Sequence, residues 1–224
     1  MSAPFWSILI CAIQQRQDSL LSLLSNLALQ VDEHPVEVVV CLDNGAAGGG
    51  LTYPAKSQKL LDSSSATFVS FIDDDDDVAT DFIPAVMGGL GQYRLQSGEW
   101  PHYVGFAVNY TVDGIRQLPV HHSLAYGGWN RIDDRPAVLT RDIVQFNPIQ
   151  REIALLGRWE EPGWQADFRW ANQVRASGRC VTQVYIPQEL YYKRDYSTGD
   201  FRAGHSPVPG PPGPLPDAPW LRWI

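Results

Sequence analysis

Apolar residues in this chain come first in unbroken runs and only later in alternation. Residues 6–13 read WSILICAI, residues 36–42 read VEVVVCL and residues 68–72 read FVSFI. Runs without polar interruption suit strands buried on both faces of a parallel sheet. Between the first two lies DSLLSLLSNLAL, in which Leu20, Leu21, Leu24 and Leu27 fall along one helical stripe and Asp18 is placed to cap. Between the second and third, a loop with Gly45, Gly48, Gly49 and Gly50 leads into a short helix over 54–62. Strands separated by helix-length segments predict right-handed βαβ crossovers.

The texture then changes. Residues 81–90 read as a helix that ends at Gly88, Gly89 and Gly91. Residues 102–112 alternate like a half-buried strand, and Asp113-Gly114 is a hairpin turn signal. Residues 117–142 read as irregular. Residues 148–156 and 165–177 read as helices, and 181–186 and 189–193 as two strands. The Pro/Gly-rich tail from Ser206 is expected to stay outside the core. No internal repeat is visible. The fold class is α/β, a Rossmann-like, mostly parallel central sheet with helices on both faces and a small mixed region after it.

Composition narrows the class. The chain has 224 residues, 44% hydrophobic and 19% charged, as a single globular domain would. No apolar run reaches the ~20 residues needed to span a bilayer, and Phe5–Ile13, without a basic lead or a cleavage pattern, reads as a first buried strand. The expectation is a cytoplasmic protein with no membrane association. Three cysteines, Cys11, Cys41 and Cys180, fit buried thiols in a reducing compartment better than a disulfide framework. Net charge is −8 but uneven: residues 1–130 hold 5 basic against 14 acidic residues, and 131–224 hold 12 against 11. Such acidity argues against loose nucleic-acid coating, and still leaves room for a basic groove in the second half.

The candidate chemistry sits at strand ends. In open parallel sheets, ligands bind beyond the carboxyl ends of the strands. Asp73 to Asp77 begin where the third apolar run stops. With the chain extended there, Asp73 and Asp75 would point the same way, about 6.6 Å apart at ~3.3 Å per residue. Mg²⁺ or Mn²⁺, sharing oxygen ligands with a diphosphate, fits between such carboxylates. A solvated acidic turn or an Asp-rich helix start would carry the same run. Asp43, in CLDNG at the end of the second run, is placed to accept from a ribose or base, or simply to turn the chain. Lys56 and Lys59 lie on the helix leading into the acidic strand, as phosphate ligands or as its solvated face.

WSILICAI with Arg16, VEVVVCLDNG and KSQKLLDSSSATFVSFIDDDDDV together resemble the nucleotide-sugar half of family 2-type glycosyltransferases with the GT-A fold, over residues 5–85. The small soluble phage-encoded members are the most similar in pattern. FNPIQREIALLGRWEEPGWQADFRWANQV, within 140–195, resembles their acceptor side more weakly, with Ala166 where Glu is usual and Gln150 at the place of an Arg. The resemblance implies one domain over 1–205, with a nucleotide-sugar half (1–100) and an acceptor half (101–205), followed by the tail. It implies Asp73 and Asp75 as the D-x-D metal motif, with His205 as a further ligand. Ile13, Arg16, Asp43, Lys56, Asp73, Asp74 and Arg194 would bind the nucleotide sugar. Asp167 would be the general base of an inverting transfer. Trp164, Trp170 and Arg151 would meet the acceptor.

The chemistry asks for such parts. A diphosphate leaving group needs its charge neutralised, and the acceptor hydroxyl needs a proton acceptor. Asp167 is the carboxylate among Trp159, Trp164 and Trp170; Glu160 and Glu161 are its rivals, and core packing would equally explain the tryptophans. The expected reaction is transfer from a nucleotide-diphosphate sugar, in the first place a UDP-sugar. The resemblance points to hydroxymethylated pyrimidine in phage DNA as acceptor, with Arg131, Arg135, Arg141, Arg151, Arg158 and Arg169 close in sequence. A saccharide acceptor, a nucleotidyltransferase and a non-catalytic metal-binding module are the alternatives. AIQQRQDS, with no glycine after the first strand, counts against the nucleotidyltransferase.

Overall fold

The computed structural model describes residues 3–31, 34–128, 130–133, 137–161, 165–195 and 217–224. Strand β1 (Trp6–Ile13) leads through a 3₁₀ turn at Gln14–Arg16 into α1 (Gln17–Val31). Then come β2 (Val36–Asp43), α2 (Tyr53–Ser63), β3 (Phe68–Asp73), the short β4 (Asp77–Val78) and α3 (Phe82–Ser97). The second half holds β5 (Tyr103–Val112), β6 (Ile115–Arg116), β7 (Val120–His122), β8 (Asn130–Ile132) and β9 (Val138–Arg141). It continues with β10 (Ile149–Gln150), α4 (Arg151–Ala154), α5 (Ala166–Ala176) and β11 (Gln183–Asp195), and closes on β12 (Leu221–Trp223).

The strands form one sheet in the order β12-β2-β1-β3-β10-β5-β7-β9-β8, with β11 and β6 on β5 and β4 on β11. The first four are parallel; β10 enters antiparallel between β3 and β5, and the sheet is mixed beyond it. Strand alternation sorts the core into two layers. Trp6, Ile8 and Ile10 pack with Leu20, Leu24 and Leu27 of α1 and Phe82 and Val86 of α3. Leu9, Val39 and Phe71 face the other way, onto Leu60 of α2, Ile153 of α4 and Trp170 of α5. The architecture is thus α/β, with helices on both faces of a central sheet.

The structure adjusts several expectations. Asp18 lies inside the first turn of α1, and Leu23 is buried where Leu21 is only half-buried. Helix α3 runs past its glycines to Gly98, whose φ of 79° and N–H to the Arg94 carbonyl (2.8 Å) end it. Gly89 is there because β11 comes close: a Cβ would stand 3.0 Å from Ile186 Cδ1. The hairpin at Asp113-Gly114 is formed, with φ of 50° and 76°. The stretch read as irregular contains β7, β8 and β9, which pair with β5 or one another. Residues 149–150 of the expected helix are a strand. The two expected C-terminal strands are one, β11, with irregular register between Ile186 and Tyr191 where Pro187 cannot donate to the ladder. The tail is corrected at its end: β12 pairs parallel with β2, and Leu221 is buried. Among the described residues no helix is long and apolar enough to cross a membrane, and all three cysteines are free thiols.

Candidate functional site

The acidic run does not stay extended. Asp76 N–H bonds the Asp73 carbonyl at 3.2 Å, so the chain turns at Asp74–Asp75 and sends its carboxylates to different partners. The Arg16 guanidinium reaches Asp74 Oδ1 at 2.8 Å and Asp75 Oδ2 at 3.2 Å. Asp74 Oδ2 accepts the Ile13 N–H at 2.9 Å. Asp76 accepts from the Tyr191 hydroxyl (2.7 Å), the Arg194 N–H (2.8 Å) and Lys193 Nζ (3.1 Å), while Lys193 also reaches Asp73. Asp77 takes Asn26 Nδ2 at 3.0 Å and Arg194 at 3.2 Å. The end of β1 with the 3₁₀ turn after it, helix α1 and β11 therefore clamp the run from several sides.

Burial dominates the electrostatics. It pushes Asp74 up to about 6 and Asp75 and Asp76 upward, against the pull of Arg16 and Lys193. Lys193 is moved far above the usual lysine value: burial opposes its charge, but Asp73, Asp76, Asp75 and Asp195 outweigh burial.

This turn opens on a cavity of about 800 Å³. Asp73, Asp74, Asp75, Arg16, Tyr53 and Cys11 line it from the parallel strands and their loops. Lys193, Arg194 and Asp195 come from β11. Asp167, from the first turn of α5, and Arg141, Gln145 and Phe146 line it from the second half. The Arg141 guanidinium lies 3.8 Å from Asp167 Oδ2. The segment before β10 is tightly sewn. Tyr103 Oη donates to the Asp142 carbonyl (3.0 Å), and Asn147 Nδ2 donates to the Val104 carbonyl (2.9 Å). Phe146 stacks on Tyr191 at 4.1 Å. Gln145, only 6% exposed, leaves its Oε1 without a hydrogen-bond partner. An unmet buried acceptor costs about 1–3 kcal/mol.

Of the residues expected from sequence, Asp73, Asp74, Asp75, Arg16, Arg194 and Asp167 meet in this cavity. Ile13 and Asp43 are register partners at the carboxyl ends of β1 and β2, beside it. Asp43 binds the N–H groups of Gly45 (2.7 Å) and Leu51 (2.8 Å) and the Lys56 ammonium, which outweigh its burial and hold its pKa low. Gly50 is required there, since a Cβ would fall 2.6 Å from the Asp43 carboxyl carbon. Lys56 is corrected: it is buried, its ammonium taken by the Ala12 carbonyl and Asp43, so it has no route to a diphosphate. Trp170 is corrected too: it is fully buried, stacked on Trp159 at 5.3 Å, with its N–H on the Ala154 carbonyl. Arg151 starts α4, bonded through its N–H to the Thr67 carbonyl, and does not line the cavity. Of the five expected arginines that are described, only Arg141 lines it. Trp164, Arg135 and His205 lie outside the described residues.

Sequence reading missed Lys193, Gln145 and Tyr191, and it gave Arg141 no link to Asp167. Alternation along β11 would have placed Tyr191, Lys193 and Asp195 on one face, but nothing local points to partners over a hundred positions away.

For a cation, the fit is a matter of donors. Asp73 and Asp75 offer carboxylate oxygens to the cavity, the ligand type Mg²⁺ and Mn²⁺ take. Among the described residues no group of three or more His, Cys, Asp or Glu could hold a metal. Among the described residues the site thus offers fewer than three such ligands, which fits a hydrated cation that shares substrate phosphates.

No protein-family model matches the sequence, and no curated protein matches it. By structure, the chain is similar to S. aureus TarS, a family 2 glycosyltransferase of the GT-A type, with a TM-score of 0.57 at 12% identity over 84% of this chain. The likeness is one of fold, shared with the matched part of TarS. The 1–349 portion of TarS solved with UDP-GlcNAc gives a TM-score of 0.56 at 12% identity over 85% of this chain, and the same portion with UDP gives 0.55 at 11% over 84%. This chain spans 36% of the first TarS chain and 58% and 60% of the other two.

Proposed function

We propose that this chain is a metal-dependent glycosyltransferase that moves a sugar from a UDP-sugar to an acceptor hydroxyl with inversion. One observation carries the reading: a single cavity gathers Asp73 and Asp75, the cations Arg16, Lys193 and Arg194, and the carboxylate of Asp167 from the other half of the chain. The complexes of TarS with UDP-GlcNAc and UDP support the donor class.

Ile13 and the loop tied by Asp43 form the shelf for the nucleoside. Asp73 and Asp75 would hold Mn²⁺ or Mg²⁺, which when bound neutralises charge on the diphosphate. Lys193 and Arg194 add fixed positive charge where negative charge develops on the leaving group. Asp167 takes the proton of the acceptor hydroxyl. The freed oxygen lone pair forms the new bond to the anomeric carbon. The bond from that carbon to the β-phosphate oxygen breaks, and its electron pair leaves with UDP.

The acceptor is a hydroxyl of a saccharide, a small molecule or a hydroxymethylated pyrimidine in DNA; the placement of the arginines adds nothing to the DNA case. The test is UDP release from a panel of UDP-sugars with Mn²⁺, with each acceptor class present and a hexose mass shift sought on it. Chelator and Asp75→Asn are expected to stop release. No binding of UDP and no release with any sugar overturns the reading; pyrophosphate release from nucleoside triphosphates would move it to a nucleotidyltransferase.

A further inference from the structure

The segment from Asp142 to Asn147 is held by every polar side chain in it but one. Asp142 pairs with Arg175, and Asn147 bonds both the Val104 carbonyl and the His122 ring. The main chain is equally fixed: the Gln145 carbonyl accepts the Phe71 N–H at 2.8 Å, and the Val144 N–H bonds the Tyr103 hydroxyl at 3.3 Å. Gln145 alone spends its side chain on nothing in the protein. Its Oε1 is buried without a partner, and the residue lines the cavity. Buried polar groups in native proteins are almost always satisfied, so a rigidly mounted exception in a cavity marks a place where a ligand supplies the missing bond.

Position says which ligand. The Phe71 bond fixes Gln145 beside β3, two residues before Asp73, where the acidic turn begins. Phe146, its neighbour, stacks on Tyr191, whose hydroxyl bonds Asp76. Arg141, four residues before it, reaches Asp167. Gln145 thus stands in the chain between the diphosphate end of the cavity and the carboxylate assigned to the acceptor. The group that lies between those two in a nucleotide sugar is the sugar ring.

We propose that Gln145 is a specificity-determining residue that accepts a hydrogen bond from a hydroxyl or amide N–H of the transferred sugar. The inference rests on the glycosyltransferase reading above. An amide carbonyl tells a donor at one ring position from a deoxy carbon, so Gln145 selects among sugars and is indifferent to UDP.

The experiment compares UDP and UDP-sugars, natural and singly deoxygenated, on the full chain and on Gln145→Leu and Gln145→Glu, by calorimetry and by KM and kcat for release. Gln145→Leu is expected to bind UDP as the wild type does and to bind the preferred UDP-sugar roughly tenfold less tightly. One deoxy sugar should lose the same factor against the wild type and nothing further against Gln145→Leu. Thermal unfolding should show Gln145→Leu at least as stable as wild type, since it removes an unmet acceptor. Gln145→Glu, the same size but charged, should keep UDP binding and change the sugar preference. Equal losses for UDP and UDP-sugar would mean a structural role and overturn the proposal. So would no loss at all, or a loss confined to the acceptor KM. A wild type that binds no UDP overturns the glycosyltransferase reading, and this inference with it.

Discussion

The Lys193 ammonium stands 3.2 Å from Asp73 Oδ2, across 120 positions of sequence. It lies 3.1 Å from Asp76 as well, so one cation from β11 holds two carboxylates of the turn after β3. Arg16 does the same for Asp74 and Asp75 from the loop after β1. The acidic run is therefore compensated by two cations, with one face on the cavity.

Lys193→Gln leaves Asp73 and Asp76 short of their cation. On the proposed reading, Mn²⁺ binding without donor then tightens, because a competing charge is gone. Turnover falls by about 10²-fold, because the leaving diphosphate loses a fixed donor. Calorimetric titration with Mn²⁺ and UDP release from the UDP-sugar check the two halves separately. Weaker Mn²⁺ binding together with unchanged turnover would place Lys193 in a purely structural role.

The parallel strands were legible because each is a continuous apolar run, and burial on both faces demands that. The acidic turn was legible as a strand end, but not as a turn: Asp73 and Asp75 were expected on one face of an extended chain. The actual conformation is set by Tyr191, Lys193 and Arg194, on a strand over a hundred residues later. The same non-locality hid the strands between residues 117 and 142, which are short and take their definition from β5 and from one another. Trp170 and Lys56 misled for a shared reason. Aromatic and basic side chains near a motif look like ligand groups, and only packing shows that one stacks on Trp159 and the other is consumed by Ala12 and Asp43. The C-terminal strand was masked by the prolines before it.

His122 is buried against Phe146 and Phe106 and bonded to Asn147 Oδ1 at 2.8 Å. Burial pushes its pKa down to about 3, against the help of Asn147, with Arg141 and His121 adding to the fall. Its folded value lies below the unfolded value of 6.5, so the unfolded chain binds one more proton between them. The stability held by neutral His122 is therefore present above about pH 6.5 and lost as pH falls, by about 1.4 kcal/mol per pH unit. Asp74, raised to about 6, works in the opposite direction, but it is common to wild type and variant. Urea unfolding at pH 7, 6 and 5 should show the advantage of wild type over His122→Gln shrinking, by less between pH 7 and 6 than between 6 and 5, where it nears that slope. A constant gap would mean that His122 titrates normally.

Strand β12 covers the edge of β2. Trp220 accepts the Val38 N–H at 2.8 Å, Ile224 N–H bonds the Val40 carbonyl at 2.9 Å, and Arg222 reaches Glu37 at 3.4 Å. Deleting 217–224 re-exposes that edge and the surface under Leu221. The expected cost is about 3 kcal/mol, from one buried leucine and a few ladder bonds. That corresponds to a Tm lower by roughly 10 °C. An unchanged Tm in the truncated chain would show that β12 contributes nothing to the sheet.

Asp167 is the proposed base, and the cavity separates it from its rivals. It lies in the first turn of α5 with its side chain 30% exposed, facing the space that Asp73 and Asp75 also line. Glu160 and Glu161 are exposed and do not line the cavity. Arg141, buried and 3.8 Å away, limits the rotamers Asp167 can use and stays charged when a proton is taken up. A positioned base contributes about 10²–10⁴ in rate. Asp167→Asn keeps the size and removes the proton acceptor, so kcat should drop by that factor while UDP affinity and metal dependence stay as in wild type. Glu160→Gln and Glu161→Gln should keep kcat near wild type. Arg141→Met should lower kcat less than Asp167→Asn does and add little on top of it, because it acts through the same carboxylate. Wild-type kcat in Asp167→Asn would remove the base from α5, and with it the argument for inversion.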